Sequence, residues 1–182
     1  MKKIFIILLL FLQCFDIFAQ QDEAENQTCF WFNVKVSKKT NAATHIEGYD
    51  LRRISAKIYS GSSDYYKKSL WKGLAAGTQI AVGPFYTYQQ AALAVELYNF
   101  KNDSIAEKSG NTTYFWFLVK PSIMQRSHSY VFERMAARVT SGTAKEFSDV
   151  LKESLAFKTL AIGPFSQAIE AENSKQTYRL EE

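Results

Sequence analysis

Cysteine is nearly missing from this 182-residue chain: Cys14 follows an N-terminal apolar run, and Cys29 is the other one. If the N-terminal segment is removed, no intrachain disulfide can form and stability must come from burial. Histidine is as scarce, with only His45 and His128. Neither has a partner at metal-ligand spacing, so both read as loop or surface histidines. The pattern Gly-x-Ser-x-Gly is absent, and Gly61-Ser62-Ser63 lacks the context of a nucleophile elbow. Carboxylates such as Glu96 and Glu133 are scattered, and a glycosidase pair drawn from them would meet only in space. The chain is therefore read as a non-enzyme that needs no cofactor. Its net charge of +4 is a small excess that does not call for a nucleic-acid partner. A long apolar run is missing too: Ile4 to Leu12 is too short to span a bilayer comfortably.

What is there begins with targeting. Met1-Lys2-Lys3, the run to Leu12 and the small residue Ala19 read as a secretory signal peptide over residues 1–19. The alternatives are lipidation at Cys14, disfavoured by bulky Gln13 and nearby Asp16, and an uncleaved anchor, disfavoured by the absence of a flanking stop signal. Cleavage after Ala19 leaves 163 residues (182 less 19) and a charge of +3, from 20 basic and 17 acidic residues. No membrane span is then expected. Composition, 47% hydrophobic and 15% aromatic, supplies a real core for one domain or two small ones.

The chain repeats itself. Ile80-Ala81-Val82-Gly83-Pro84-Phe85 returns as Leu160-Ala161-Ile162-Gly163-Pro164-Phe165, at an offset of 80 (163 less 83). Phe30-Trp31-Phe32 returns as Phe115-Trp116-Phe117, and Leu70, Leu74 and Thr78 answer to Leu151, Leu155 and Thr159. Small shifts of offset fit insertions in surface loops. The segments are a polar spacer at 20–27, repeat one at 28–100, a polar linker at 101–111 and repeat two at 112–182.

Within a repeat, period-two alternation predicts strands. Phe30, Phe32, Val34 and Val36 face one way, and Trp31, Asn33 and Lys35 the other; Phe115, Phe117 and Val119 oppose Trp116, Leu118 and Lys120. Residues 37–51 and 122–132 show no clear period and read as long hairpin loops or irregular excursions. Ile54, Ala56 and Ile58, matched by Met135, Ala137 and Val139, predict a second strand. Ser60 to Asp64 and Ser141 to Thr143 carry helix-cap chemistry. Tyr66, Leu70 and Leu74, or Phe147, Leu151 and Leu155, then form a helical stripe, with Trp71 at its edge and partly exposed. Each Gly-Pro-Phe strand leads to a second helix: Ala91, Val95 and Tyr98 share a face, as do Ala171, Lys175 and Tyr178. The expected fold is α+β, antiparallel sheets with both helices on one face and the other face open. Two arrangements fit the element order: strand exchange, in which the Trp31 and Trp116 strands complete each other's sheets, or two self-contained sheets.

Val82-Gly83-Pro84-Phe85, five residues and Ala91, with the matching Ile162-Gly163-Pro164-Phe165, five residues and Ala171, resembles the second half of the sporulation-related repeat (SPOR) domain. The resemblance covers about 20 residues of each copy. It implies two tandem ferredoxin-like units in a bacterial envelope or periplasm that bind peptidoglycan, in particular glycan strands stripped of stem peptides. It names no catalytic residues.

The outward-facing set combines flat aromatic surface with positive charge: Trp31, Lys35, Lys57 and Tyr59 in one copy, Trp116, Lys120 and Arg138 in the other. On an open sheet these would mark a binding surface. Aromatic faces would stack on sugar rings while the cations met carboxylates. The alternative is a protein-interaction subunit of an envelope assembly using the same surface, and a third reading packs one copy's face against the other's and hides both tryptophans. The mature protein is expected to begin near Gln20 and to be soluble in the envelope. Mass spectrometry of the isolated protein checks this, and an intact Met1 or an acylated Cys14 would refute it.

Overall fold

The computed structural model describes residues 27–40, 47–53, 56–99, 109–124, 129–133 and 138–178. The targeting segment, both histidines, Ile54, Met135, Ala137 and most of the 101–111 linker lie outside them.

The long strand β1 (Thr28–Thr40) carries the alternation predicted for it and anchors the first half. On one edge it pairs antiparallel with β2 (Glu47–Arg53) and, further along, with β3 (Tyr59–Ser62); on its other edge lies β4 (Ile80–Phe85). Between β3 and β4 runs α1 (Ser63–Ala75), and α2 (Tyr88–Tyr98) follows β4. The second half repeats this order: β5 (Tyr114–Ile123), β6 (Tyr130–Glu133), β7 (Thr140–Gly142), α3 (Ala144–Ala156), β8 (Leu160–Phe165) and α4 (Ala168–Thr177). The protein is thus α+β, with two antiparallel sheets and four helices among the described residues. No described helix is long and apolar enough to cross a membrane.

Cap chemistry starts the helices where the sequence placed it. Ser62 Oγ accepts from the Tyr65 amide at 3.2 Å, and Thr143 closes a capping box with Glu146. The helix carrying Lys175 forms despite the break in its apolar stripe, and Lys175 makes an ion pair with Glu172 one turn back.

Two expectations change, and one open alternative closes. The 37–51 segment is not irregular over its described length, since the β1–β2 ladder runs out to Thr40 opposite Glu47; polar side chains hid a strand whose backbone pairing does not depend on them. The second predicted strand begins only at Tyr59, and Ala56 to Ile58 lie outside it. Of the two arrangements that fit the element order, strand exchange is ruled out, because among the described residues Phe30 to Val36 pair only with β2, β3 and β4 of their own half.

Each Gly-Pro pair forms a bulge. Phe30 faces Phe85 and Phe32 faces Val82, so Gly83 and Pro84 together lie opposite Trp31, through a cis peptide bond. Gly83 has φ +151°, and a Cβ on it would come within 2.9 Å of the Phe30 carbonyl oxygen and 3.0 Å of the Trp31 Cβ. Gly163 repeats the geometry against Phe115 and Trp116. Only glycine fits there.

The halves join through Phe32, Phe85, Phe165 and Phe117, all fully buried. Phe32 stacks on Phe85 and Phe117 on Phe165, each at 6.2 Å, and Phe85 meets Phe165 at 5.3 Å across the boundary. Among the described residues, the free edges of β4 and β8 meet hydroxyls instead of another strand. The Tyr178 hydroxyl lies 2.8 Å from the carbonyl oxygen of Ala81 and 2.9 Å from that of Gly83, close enough to donate to either, and Tyr66, 2.7 Å from the Tyr178 hydroxyl, reaches the same pair. Tyr98 donates to Ala161 in the reciprocal contact. Further out, Tyr49 donates to the Pro121 carbonyl and Tyr130 to that of Val36, both at 2.5 Å.

Burial pushes the Tyr66, Tyr98 and Tyr178 phenols above the ordinary tyrosine value. A phenol whose pKa is raised by folding contributes stability in full below its unfolded pKa of ~10 and loses it as pH rises beyond that value. An alkaline titration followed by 295 nm absorbance and far-UV circular dichroism checks this. The three buried phenols should ionise only in a step that coincides with loss of far-UV circular dichroism. Full titration of every tyrosine while the fold persists would contradict their burial.

Candidate functional site

Alternation along β1 sends Trp31 away from the Phe stripe, as the sequence predicted, but not into water. Its exposure is 1%, and that of Trp116 is 3%. Trp31 meets Tyr66 of α1 edge-on at 5.6 Å, and Trp116 meets Phe147 of α3 at 5.6 Å. Phe32 on the opposite face meets Tyr98 of α2 at 5.0 Å, and Phe117 meets Tyr178 at the end of α4 at 5.5 Å. Each sheet therefore has a helix on both faces, which corrects the open-face expectation. The tryptophans are hidden under the outer helix of their own half rather than in the seam between halves. They are core residues here, and neither ring is presented for stacking.

The aromatic surface in the first half lies one layer further out. Tyr59 stacks on Trp31 at 6.0 Å and 18°, and Tyr65 leans on the same ring at 5.9 Å. Gly61 lets these rings close up, since a Cβ there would come within 2.9 Å of Tyr65 Cδ1 and 3.3 Å of Trp31 Cη2. Tyr65 is 61% exposed and Tyr59 half-buried. Lys57 holds its ammonium 5.2 Å from the centre of the Tyr59 ring, a cation–π contact. The buried tryptophan is thus the floor of a surface formed by two tyrosines and one cation. Lys35 is exposed on the same side of β1, beyond Asn33.

The second half does not repeat this surface. Thr140 stands where the first half has Tyr59, and Glu146 where it has Tyr65. Glu146 is committed to the helix cap: it accepts from the Thr143 amide at 2.6 Å, and that bond lowers its carboxyl pKa. Its Oε2 also lies 2.6 Å from where a Cβ on Gly142 would stand, and Trp116 Cη2 lies 2.7 Å from the same point. Lys120 pairs with Glu133, whose carboxyl pKa is lowered by that contact, and Arg138 is exposed. The predicted set therefore splits. Lys57 and Tyr59 come together above Trp31, whereas Trp116, Lys120 and Arg138 lie in the other half. Tyr65 was missed by sequence reasoning. Its signal was an aromatic residue one position off the Tyr66, Leu70, Leu74 stripe, and hence on the outer side of its helix.

Cys29 is buried, with its thiol pushed up to about 11 chiefly by burial, which makes it a poor nucleophile. Among the described residues, no three His, Cys, Asp or Glu side chains gather to hold a metal ion. No family model matches the chain, and no curated protein or solved structure matches it.

Trp31 Nε1 and Asn33 Oδ1, on neighbouring positions of the same strand face, are buried without hydrogen-bond partners among the described residues. The second half places Leu118 at the position of Asn33. Removing a buried unpaired acceptor relieves a cost of about 1–3 kcal/mol. Asn33→Leu is therefore expected to raise stability by about 1 kcal/mol or more, read as a higher denaturant midpoint with an unchanged slope. A fall in the midpoint would mean that the amide is held by partners worth more than the burial of a leucine.

Proposed function

We propose that this is a non-catalytic cell-envelope protein that binds peptidoglycan glycan strands through the first-half surface of Tyr59, Tyr65 and Lys57. The observation that carries the reading is the two outward tyrosines backed by buried Trp31, with a cation fixed beside one of them. Rigid aromatic faces suit pyranose rings, and an ammonium suits the carboxylates of muramic acid units. In this reading each half is a ferredoxin-like unit of the sporulation-related kind, supported by the Gly-Pro-Phe strand and the helix after it. The basic, apolar N-terminus supports export to the periplasm or envelope, with no membrane span left after cleavage. Lys35 extends the basic side of the surface.

The test is sedimentation with purified sacculi, with and without amidase treatment, alongside thermal unfolding of each variant. Tyr59→Ala and Tyr65→Ala should each weaken binding roughly fivefold, the loss of about 1 kcal/mol of ring contact, with small changes in melting temperature. Trp31→Ala should instead cost about 3–5 kcal/mol of stability. Wild-type binding by both tyrosine variants would reject this surface, and no sedimentation of the intact protein would reject the glycan.

A further inference from the structure

Helices α1 and α3 occupy equivalent places in the two halves, and their buried positions agree: Tyr66 with Phe147, Leu70 with Leu151, Leu74 with Leu155. Their exposed faces are opposite in sign. Asp64, Lys68 and Lys72 of α1 are answered by Lys145, Asp149 and Glu153 of α3, and all six are exposed. Residues spaced by four share one helix face, so each helix carries a single stripe of these charges. From the N-terminus the stripe reads minus, plus, plus on α1 and plus, minus, minus on α3.

We propose that α1 of one copy of this protein docks side by side on α3 of a second copy, and that this contact assembles the chains head to tail. The occupant follows from charge complementarity between two surfaces of the same chain. The orientation follows from the order of the signs. Laid parallel, the helices set Asp64 against Lys145, Lys68 against Asp149 and Lys72 against Glu153. Laid antiparallel, Asp64 would meet Glu153 and Lys72 would meet Lys145, two repulsive pairs out of three. Trp71, 38% exposed on α1, adds apolar area along the edge of the stripe. The contact joins two different surfaces, so a copy bound at its α1 still offers its α3, and the assembly continues into a ring or filament. The glycan reading above is not needed for it.

Exposed ion pairs are individually weak and are screened by salt. The average mass of the purified chain in sedimentation should therefore rise with concentration at ~20 mM salt and fall back to monomer at ~0.5 M. Two variants provide the decisive arms. Lys68→Asp with Lys72→Glu makes both helices acidic, and Asp149→Lys with Glu153→Lys makes both basic. Each alone should stay monomeric at low salt, and a mixture of the two should associate again, because every α1 then finds an α3 of opposite sign. Melting curves confirm that these surface changes leave the fold intact. A monomeric wild-type chain at low salt, association by either variant alone, or failure of the mixture to associate would each overturn the proposal.

Discussion

A β-strand that ends a sheet leaves a row of carbonyl oxygens with no ladder partner, and when that edge is buried, donors must come from elsewhere. Here they are tyrosine hydroxyls. Ala81 and Gly83 on β4 are met by Tyr66 and by Tyr178 at the end of α4, with Ser174 reaching Gly83 as well, while Ala161 on β8 is met by Tyr98. Tyr178, Ser174 and Tyr98 each belong to the opposite half from the strand they satisfy. Neither sheet completes its own hydrogen bonding, and the seam is held by direction-specific contacts as well as by the four stacked phenylalanines.

The two halves then differ in instructive ways. Phe147 replaces Tyr66 and Ala94 stands opposite Ser174, so the β8 edge lacks two hydroxyls that the β4 edge has. On the outside the differences are larger, with Glu146 tied into its helix cap where Tyr65 faces water. Gln90 and Glu170, equivalent residues, bond directly to each other at 2.8 Å, so here one amide and one acid do what two acids could not do without repulsion. The seam itself has been adjusted for two non-identical partners.

The duplication was legible because it is a comparison of the chain with itself, and the Gly-Pro strands, the helix caps and the Leu stripes all followed from local spacing. The tryptophans show the limit. Period two fixes which side of a strand a ring leaves from, but what covers that side is decided by α1 and α3, whose approach depends on Gly61 and Gly142 having no Cβ. The same limit hid Tyr65, whose neighbour Trp31 is 34 residues away (65 less 31). The polar ends of β1 and β2 were illegible for another reason. A ladder held by backbone groups, with Ser37 opposite Asp50 and Lys39 opposite Gly48, leaves no apolar pattern to read.

The reciprocity of the seam, Tyr49 to Pro121 and Tyr130 to Val36, is the pattern of a two-fold dimer drawn within one chain. Two identical subunits must display every surface feature twice, so a change that is useful on one side is imposed on the other. A covalent pair is released from that obligation. Its exterior has twice the independent positions of a homodimer of the same size, and an object with distinguishable ends can have a polarity that a symmetric dimer lacks.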